Sequence, residues 1–237
     1  MSALAHPEFE LACAIKRGEA TLPTAFTAFA SAFEREFDVR PLAVGLEVLH
    51  TGRGPRLWVR VWIEGAEVIR TYRNSGDRLL DYLARSRKEA PRMFAETTEP
   101  ELLAPHVRHG AADAAGLGEL PLQVTLCDFE QAAVAEVHSK VGPEGLRLWG
   151  ESLGLGDQLW CVTSMGGTAP VVFVQTAAQA DRLSEAGALA EWRDSYFELA
   201  RRNDEFDCFG PGSCHVEVDS KEIFDTRYGA SWYAYWH

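Results

Sequence analysis

The chain has 237 residues, a formal net charge of -12, and 46% hydrophobic against 24% charged residues. That balance excludes wholesale disorder, and its acidity excludes a general nucleic-acid binder, whose affinity rests on basic surface and counterion release. The length admits one large domain or two small ones, with a sizeable buried core.

No window approaches the roughly 18 apolar residues of a membrane span. Met1–Gly18 carries Glu8, Glu10 and Lys16 and lacks the apolar run of a signal peptide. The five cysteines are scattered and read as reduced thiols, so the expectation is a cytoplasmic protein with no membrane contact.

In chain order, Pro7 starts a helix that stops near Gly18. A second helix is predicted from about Thr24 to Phe37, with Phe26, Phe29, Phe33 and Phe37 forming one stripe that suits packing on a sheet. Strands follow at Leu42–Leu49 and Arg56–Glu64. In the latter, Leu57, Val59, Val61 and Ile63 make one face and Trp58, Arg60, Trp62 and Glu64 the other. A third strand is expected at Glu67–Tyr72, and a basic helix from Asp77 to about Met93. Residues 53–92 hold ten basic against five acidic side chains, a pattern most often met on a solvated helix face.

From Glu96 to Leu120 periodicity is lost among prolines, glycines and alanines, which marks a connector between residues 1–95 and 121–237. Beyond it come a strand at Leu122–Cys127 and a helix opened by Asp128. A break at Gly142-Pro143 follows, then a hairpin at Leu159–Ser164 and Val171–Gln175. Helical sequence interrupted at Gly187 runs on to Arg202. The last block, Trp232-Tyr233-Ala234-Tyr235-Trp236-His237, alternates aromatics on both sides and reads as a terminal strand covered on both faces. The predicted class is α+β, with mixed, mostly antiparallel sheets flanked by helices in two halves of similar grammar.

Chemistry is sparse. Cys208-x5-Cys214-His215 lacks the tight hook and the fourth ligand of a structural zinc site, so no metal is expected. No phosphate loop, dinucleotide fingerprint, nucleophile elbow or metalloprotease helix occurs, so no cofactor is expected. A Cys-His arrangement drawing on His138, Cys214 and His215 in a pocket between the halves is the enzyme or ligand-binding alternative. Cys127, inside an apolar strand, reads as an inert buried thiol.

Charge carries more. Residues 185–225 hold eleven acidic against four basic side chains. Asp204, Glu205, Asp207, Glu217 and Asp219 make the candidate partner-binding set, and Trp58, Arg60 and Trp62 a candidate aromatic platform. The bland counterparts are a solvated acidic surface and a covered sheet face. The leading expectation is a protein-binding module, most concretely an immunity-type inhibitor that binds a basic toxin or nuclease. The third alternative is a structural subunit that uses the Trp58/Trp62 face as an oligomer interface.

Overall fold

The computed structural model describes residues 7–52, 54–64, 88–108, 117 and 119–237. The expected strand at Glu67–Tyr72 and most of the expected basic helix lie outside the described residues. The chain divides into two compact units between Ala132 and Ala133.

The first unit is built on a long hairpin. Strand β1 (Pro41–Thr51) pairs antiparallel with β2 (Gly54–Ile63). Two strands join in parallel: β3 (Val107–Arg108) beside β1, and β4 (Leu122–Asp128) beside β2, giving the order β3-β1-β2-β4. The stretch 96–120, read from sequence as a connector between halves, therefore runs between strands of one sheet. Its described part holds α4 (Pro100–Leu103), a single 3-10 turn at Ala104–His106 and β3 itself, each too short to show a period.

Alternation along β2 sorts the two faces. Leu57, Val59, Val61 and Ile63 are buried on one side, where Phe26, Phe29, Phe33 and Phe37 pack on them with Phe94. Three of those phenylalanines come from helix α2 (Thr27–Phe37), and Phe94 from helix α3 (residues 88–97). Phe29 meets Phe94 edge-on with ring centroids 5.1 Å apart. Each fully buried phenylalanine is worth roughly 1.5–3 kcal/mol by area removed from water, so the stripe contributes several kcal/mol to this side of the sheet.

The opposite face carries Trp58, Arg60 and Trp62, and helix α1 (Pro7–Lys16) lies over it. Phe9 sits 5.3 Å from Trp62 and 5.6 Å from Phe129, ring to ring. Trp62 is 2% and Arg60 3% exposed, so neither forms the open platform expected from sequence. Arg60 donates to Glu47 at 2.9 Å and to Glu8 at 3.4 Å, and its guanidinium stacks 4.6 Å from the Trp58 ring. The Trp58 indole donates to Thr125 at 2.8 Å. Glu8 fits only because residue 45 is glycine: a Cβ there would stand 2.1 Å from Glu8 Oε1.

The second unit has a smaller mixed sheet of order β5-β6-β7. It consists of the hairpin β5 (Leu159–Thr163) and β6 (Val171–Val174), with β7 (Glu217–Ser220) added in parallel to β6. Helix α5 (Phe129–Ser152) precedes it, kinked at Gly142, whose φ of 66° only glycine adopts readily, directly before Pro143. Between β6 and β7 come α6 (Ala177–Glu185) and α7 (Ala188–Ala200), parted by Gly187 in the left-handed region. Thr176 and Gln179 close a capping box on α6.

One sheet face packs through Val172, Val162 and Val218 onto Val137, Trp149, Trp192 and Tyr196. The other face, with Val171 and Phe173, is covered by α8 (Lys221–Tyr228) and α9 (Trp232–Trp236). The aromatic block is thus a helix and not the strand expected. Gly229 and Ala230 reverse the chain in left-handed conformations, and Ser231 then caps α9 by accepting from the Ala234 amide at 3.3 Å. Among the described residues no helix is long and apolar enough to cross a membrane.

Candidate partner-binding face

The acidic side chains of the second unit differ in what they already do. From Ala133 onward there are sixteen acidic and eight basic residues, which accounts for a formal -8 of the chain's -12. Several are matched locally: Glu136 with Lys140 at 2.8 Å, Glu198 with Arg201 at 3.1 Å, Asp194 with Arg193 at 2.9 Å, and Asp225 with Lys221. Arg147 lies between Glu144 and Glu151. Glu222 accepts from the Ala177 amide at 3.0 Å and so ties α8 to the start of α6.

Asp204, the first of the sequence-predicted set, is similarly engaged. Its two carboxylate oxygens accept from the Cys208 amide at 3.1 Å and the Phe209 amide at 2.8 Å. It shapes the loop that delivers Phe209 into the core beside Phe197, 5.4 Å ring to ring. Glu205 and Asp207 are exposed on that loop, Asp207 with a left-handed φ of 56°. Asp204 therefore organises a turn, and its two neighbours stand at the surface.

Glu217 and Asp219 are placed differently. They lie two apart on β7, opposite Val171 and Phe173 in the parallel register, so both sit on the sheet face that α8 and α9 cover. Glu217 is exposed and Asp219 half-buried. Asp219 accepts a hydrogen bond from the Tyr235 hydroxyl and one from the Ser220 amide at 2.7 Å. Burial, the Asp219 bond and the nearby Asp219 and Glu217 charges all push the Tyr235 phenol above its ordinary range. Tyr228 meets Tyr235 edge-on at 5.0 Å. Among the described residues neither Glu217 nor Asp219 forms an ion pair.

The result is a face of two carboxylates and two tyrosines contributed by β7, α8 and α9. Ser220 makes this compact by ending the strand and capping α8 at once, its hydroxyl accepting from Ile223 at 3.1 Å. Sequence reading found the two acids, but it missed Tyr228 and Tyr235 as their companions. The Ser231 cap, the signal for the helix that brings Tyr235 over β7, was the clue available.

The same α9 leaves aromatic surface outward. Tyr233 is 75% exposed and stacks on His237 at 4.4 Å, and Trp232 is also exposed while stacking on Trp160 at 5.8 Å.

His138 and Cys214 do meet in one core, with Tyr196, but as packing groups. Nδ1 of His138 shares a 2.9 Å hydrogen bond with the Tyr196 hydroxyl, and the imidazole also bonds the Ser213 backbone. Burial, with the charge of His215 adding to it, pushes His138 down to about 4 against the Ser213 bond. The Cys214 thiol donates to the Arg193 carbonyl at 3.5 Å and is pushed up to about 11, chiefly by burial. A protonated, buried thiol is a poor nucleophile at neutral pH, and His215 stands exposed. The cavity of about 270 Å³ beside Cys214 is lined by Arg193, Asp194, Phe197, Glu198 and Pro211. Cys127 is likewise pushed up to about 11 by burial, with Arg60 opposing. Among the described residues no three His, Cys, Asp or Glu side chains gather to hold a metal ion.

No protein-family model, no curated protein and no solved structure matches this chain.

Proposed function

We propose that the chain is a protein-binding module that holds a basic partner on the acidic face of its second unit. In its most concrete form it is an immunity-type inhibitor that occludes a basic toxin or nuclease. One observation carries the reading. Glu217 and Asp219 have no ion-pair partner among the described residues, yet they lie beside Tyr235 and Tyr228 on a face fixed by three elements. Charges of one sign steer encounter with a cationic partner, and partly buried tyrosines supply anchoring area with little side-chain entropy to lose.

The exposed acids Glu205 and Asp207 belong to the long-range field in this reading, and Asp204 belongs to the fold. Trp58, Arg60 and Trp62 have no part in it. The test is titration of the full chain with decalysine and with a basic single-domain nuclease, at low and at physiological salt. Binding is expected to weaken at the higher salt, and Glu217→Lys, which reverses an exposed charge, is expected to slow association and weaken binding further. Salt-independent binding, or equal binding by the variant, overturns the reading.

A further inference from the structure

Strand β7 ends the second sheet, and among the described residues it has a strand neighbour on one side only. The Glu217 amide donates to the Pro170 carbonyl at 3.1 Å, so Glu217 and, two residues on, Asp219 turn their main-chain groups toward β6. Strand alternation then turns those of Val218, and of Val216 just before the strand, outward. No hydrogen bond from a described residue outside the sheet reaches either of them. The next outward amide, that of Ser220, is already held by the Asp219 carboxylate. The outward main-chain groups of Val216 and Val218 thus have no hydrogen-bond partner among the described residues, with α6 packed close to β7, over a length that suits four or so residues of an added strand.

The two faces flanking this edge differ. On one stand Glu217 and Asp219 beside Tyr235; on the other Val216 and Val218 join the larger core. A second copy pairing through β7 would set these acids against each other, and like charges across a ladder destabilise it. A cationic strand meets no such opposition.

We propose that β7 takes up an extended segment of a basic protein as an added strand. In that segment lysine or arginine at alternate positions faces Glu217 and Asp219, and apolar residues between them extend the Val216–Val218 side. This rests on the acidic-face reading above and names the form in which the partner is held, by main-chain pairing with side-chain selection.

The experiment uses the full chain and three probes: the heptapeptide Lys-Val-Lys-Val-Lys-Val-Lys, a block peptide of the same composition, and the alternating peptide N-methylated on one or the other set of alternate amides. The alternating peptide is expected to bind at least about tenfold tighter than the block peptide. One of the two N-methylated forms should lose that gain while the other keeps it, and Glu217→Lys should abolish it. If alternating, block and methylated peptides all bind alike and Glu217→Lys weakens them equally, strand addition is overturned while the acidic-face reading stands. If none binds, both fall. A concentration-dependent dimer of the chain alone, dissociated by the alternating peptide, overturns the basic partner in favour of a second copy.

Discussion

On the sheet of the first unit, Trp58 and Trp62 flank an arginine that Glu47 and Glu8 hold, and α1 closes over the group. On the sheet of the second, tyrosines from α8 and α9 lie beside two carboxylates on β7 that meet no cation among the described residues. Both are aromatic-and-charge faces on strands of alternating pattern. They differ in whether a layer brings the opposite charge with it. Helix α1 carries Glu8 onto Arg60, so the cation is held between two carboxylates and the face is sealed. The α8–α9 cover brings phenols and indoles, so the acids remain at the rim.

The largest effect expected from disturbing this pair is on the second face. Deleting residues 231–237 strips Trp232, Tyr235 and Trp236 from Phe173 and Phe224. Three aromatic side chains leave together and bare Phe173 and Phe224 to water, so the truncated chain should lose its cooperative thermal transition by circular dichroism. A truncated chain that still melts in one sharp step shows the aromatic block to be a surface feature.

Next in size comes the first face. Arg60→Met leaves Glu8 and Glu47 without their shared cation and should lower stability by about 3–5 kcal/mol in denaturant titration, more than any exposed pair in the chain. A loss under about 1 kcal/mol would mean the face is less sealed than its burial implies.

Protonation sharpens the contrast within the second unit. His138 is neutral in the folded chain down to about pH 4, whereas in the unfolded chain it takes a proton near its ordinary value of 6.5. Between those limits the unfolded state binds more protons, so stability falls as pH falls, by about 3 kcal/mol in all, and flattens below pH 4. Carboxylates titrate over part of the same range, so the measurement is the difference between wild type and His138→Phe, whose stability should lack this component.

The smallest effects separate acids that shape the chain from acids that face outward. Asp204→Ala should cost about 1–3 kcal/mol, because two amides lose a charged acceptor, and leave decalysine binding nearly unchanged. Glu217→Gln should move stability by less than about 0.5 kcal/mol and weaken that binding. The reverse pattern would return the site to the 204–207 loop.

Much of the fold was legible because period and chemistry agreed. The Phe26–Phe37 stripe, the two-sided alternation of β2, the kink at Gly142-Pro143 and the interruption at Gly187 are each fixed by local rules. What depended on distant partners was not legible. Alternation showed that Trp58, Arg60 and Trp62 share a face, but not that a helix some fifty residues earlier covers it. The terminal aromatics satisfied two periods at once. Alternate positions suggested a strand, while Trp232, Tyr235 and Trp236 also lie on one helical face, and the Ser231 cap decided for the helix. Of the candidate acids, composition could not separate Asp204, consumed by its own loop, from Glu217, which is exposed on an edge strand.

Gly45 and Glu8 occupy one volume between them. A side chain can enter at position 45 only if the one at position 8 shortens, and a shorter residue 8 leaves Arg60 with a single carboxylate. Positions 8, 45 and 60 are therefore coupled, the first two by volume and the first and last by charge. Gly45→Ala alone should destabilise the first unit and be rescued by Glu8→Ala.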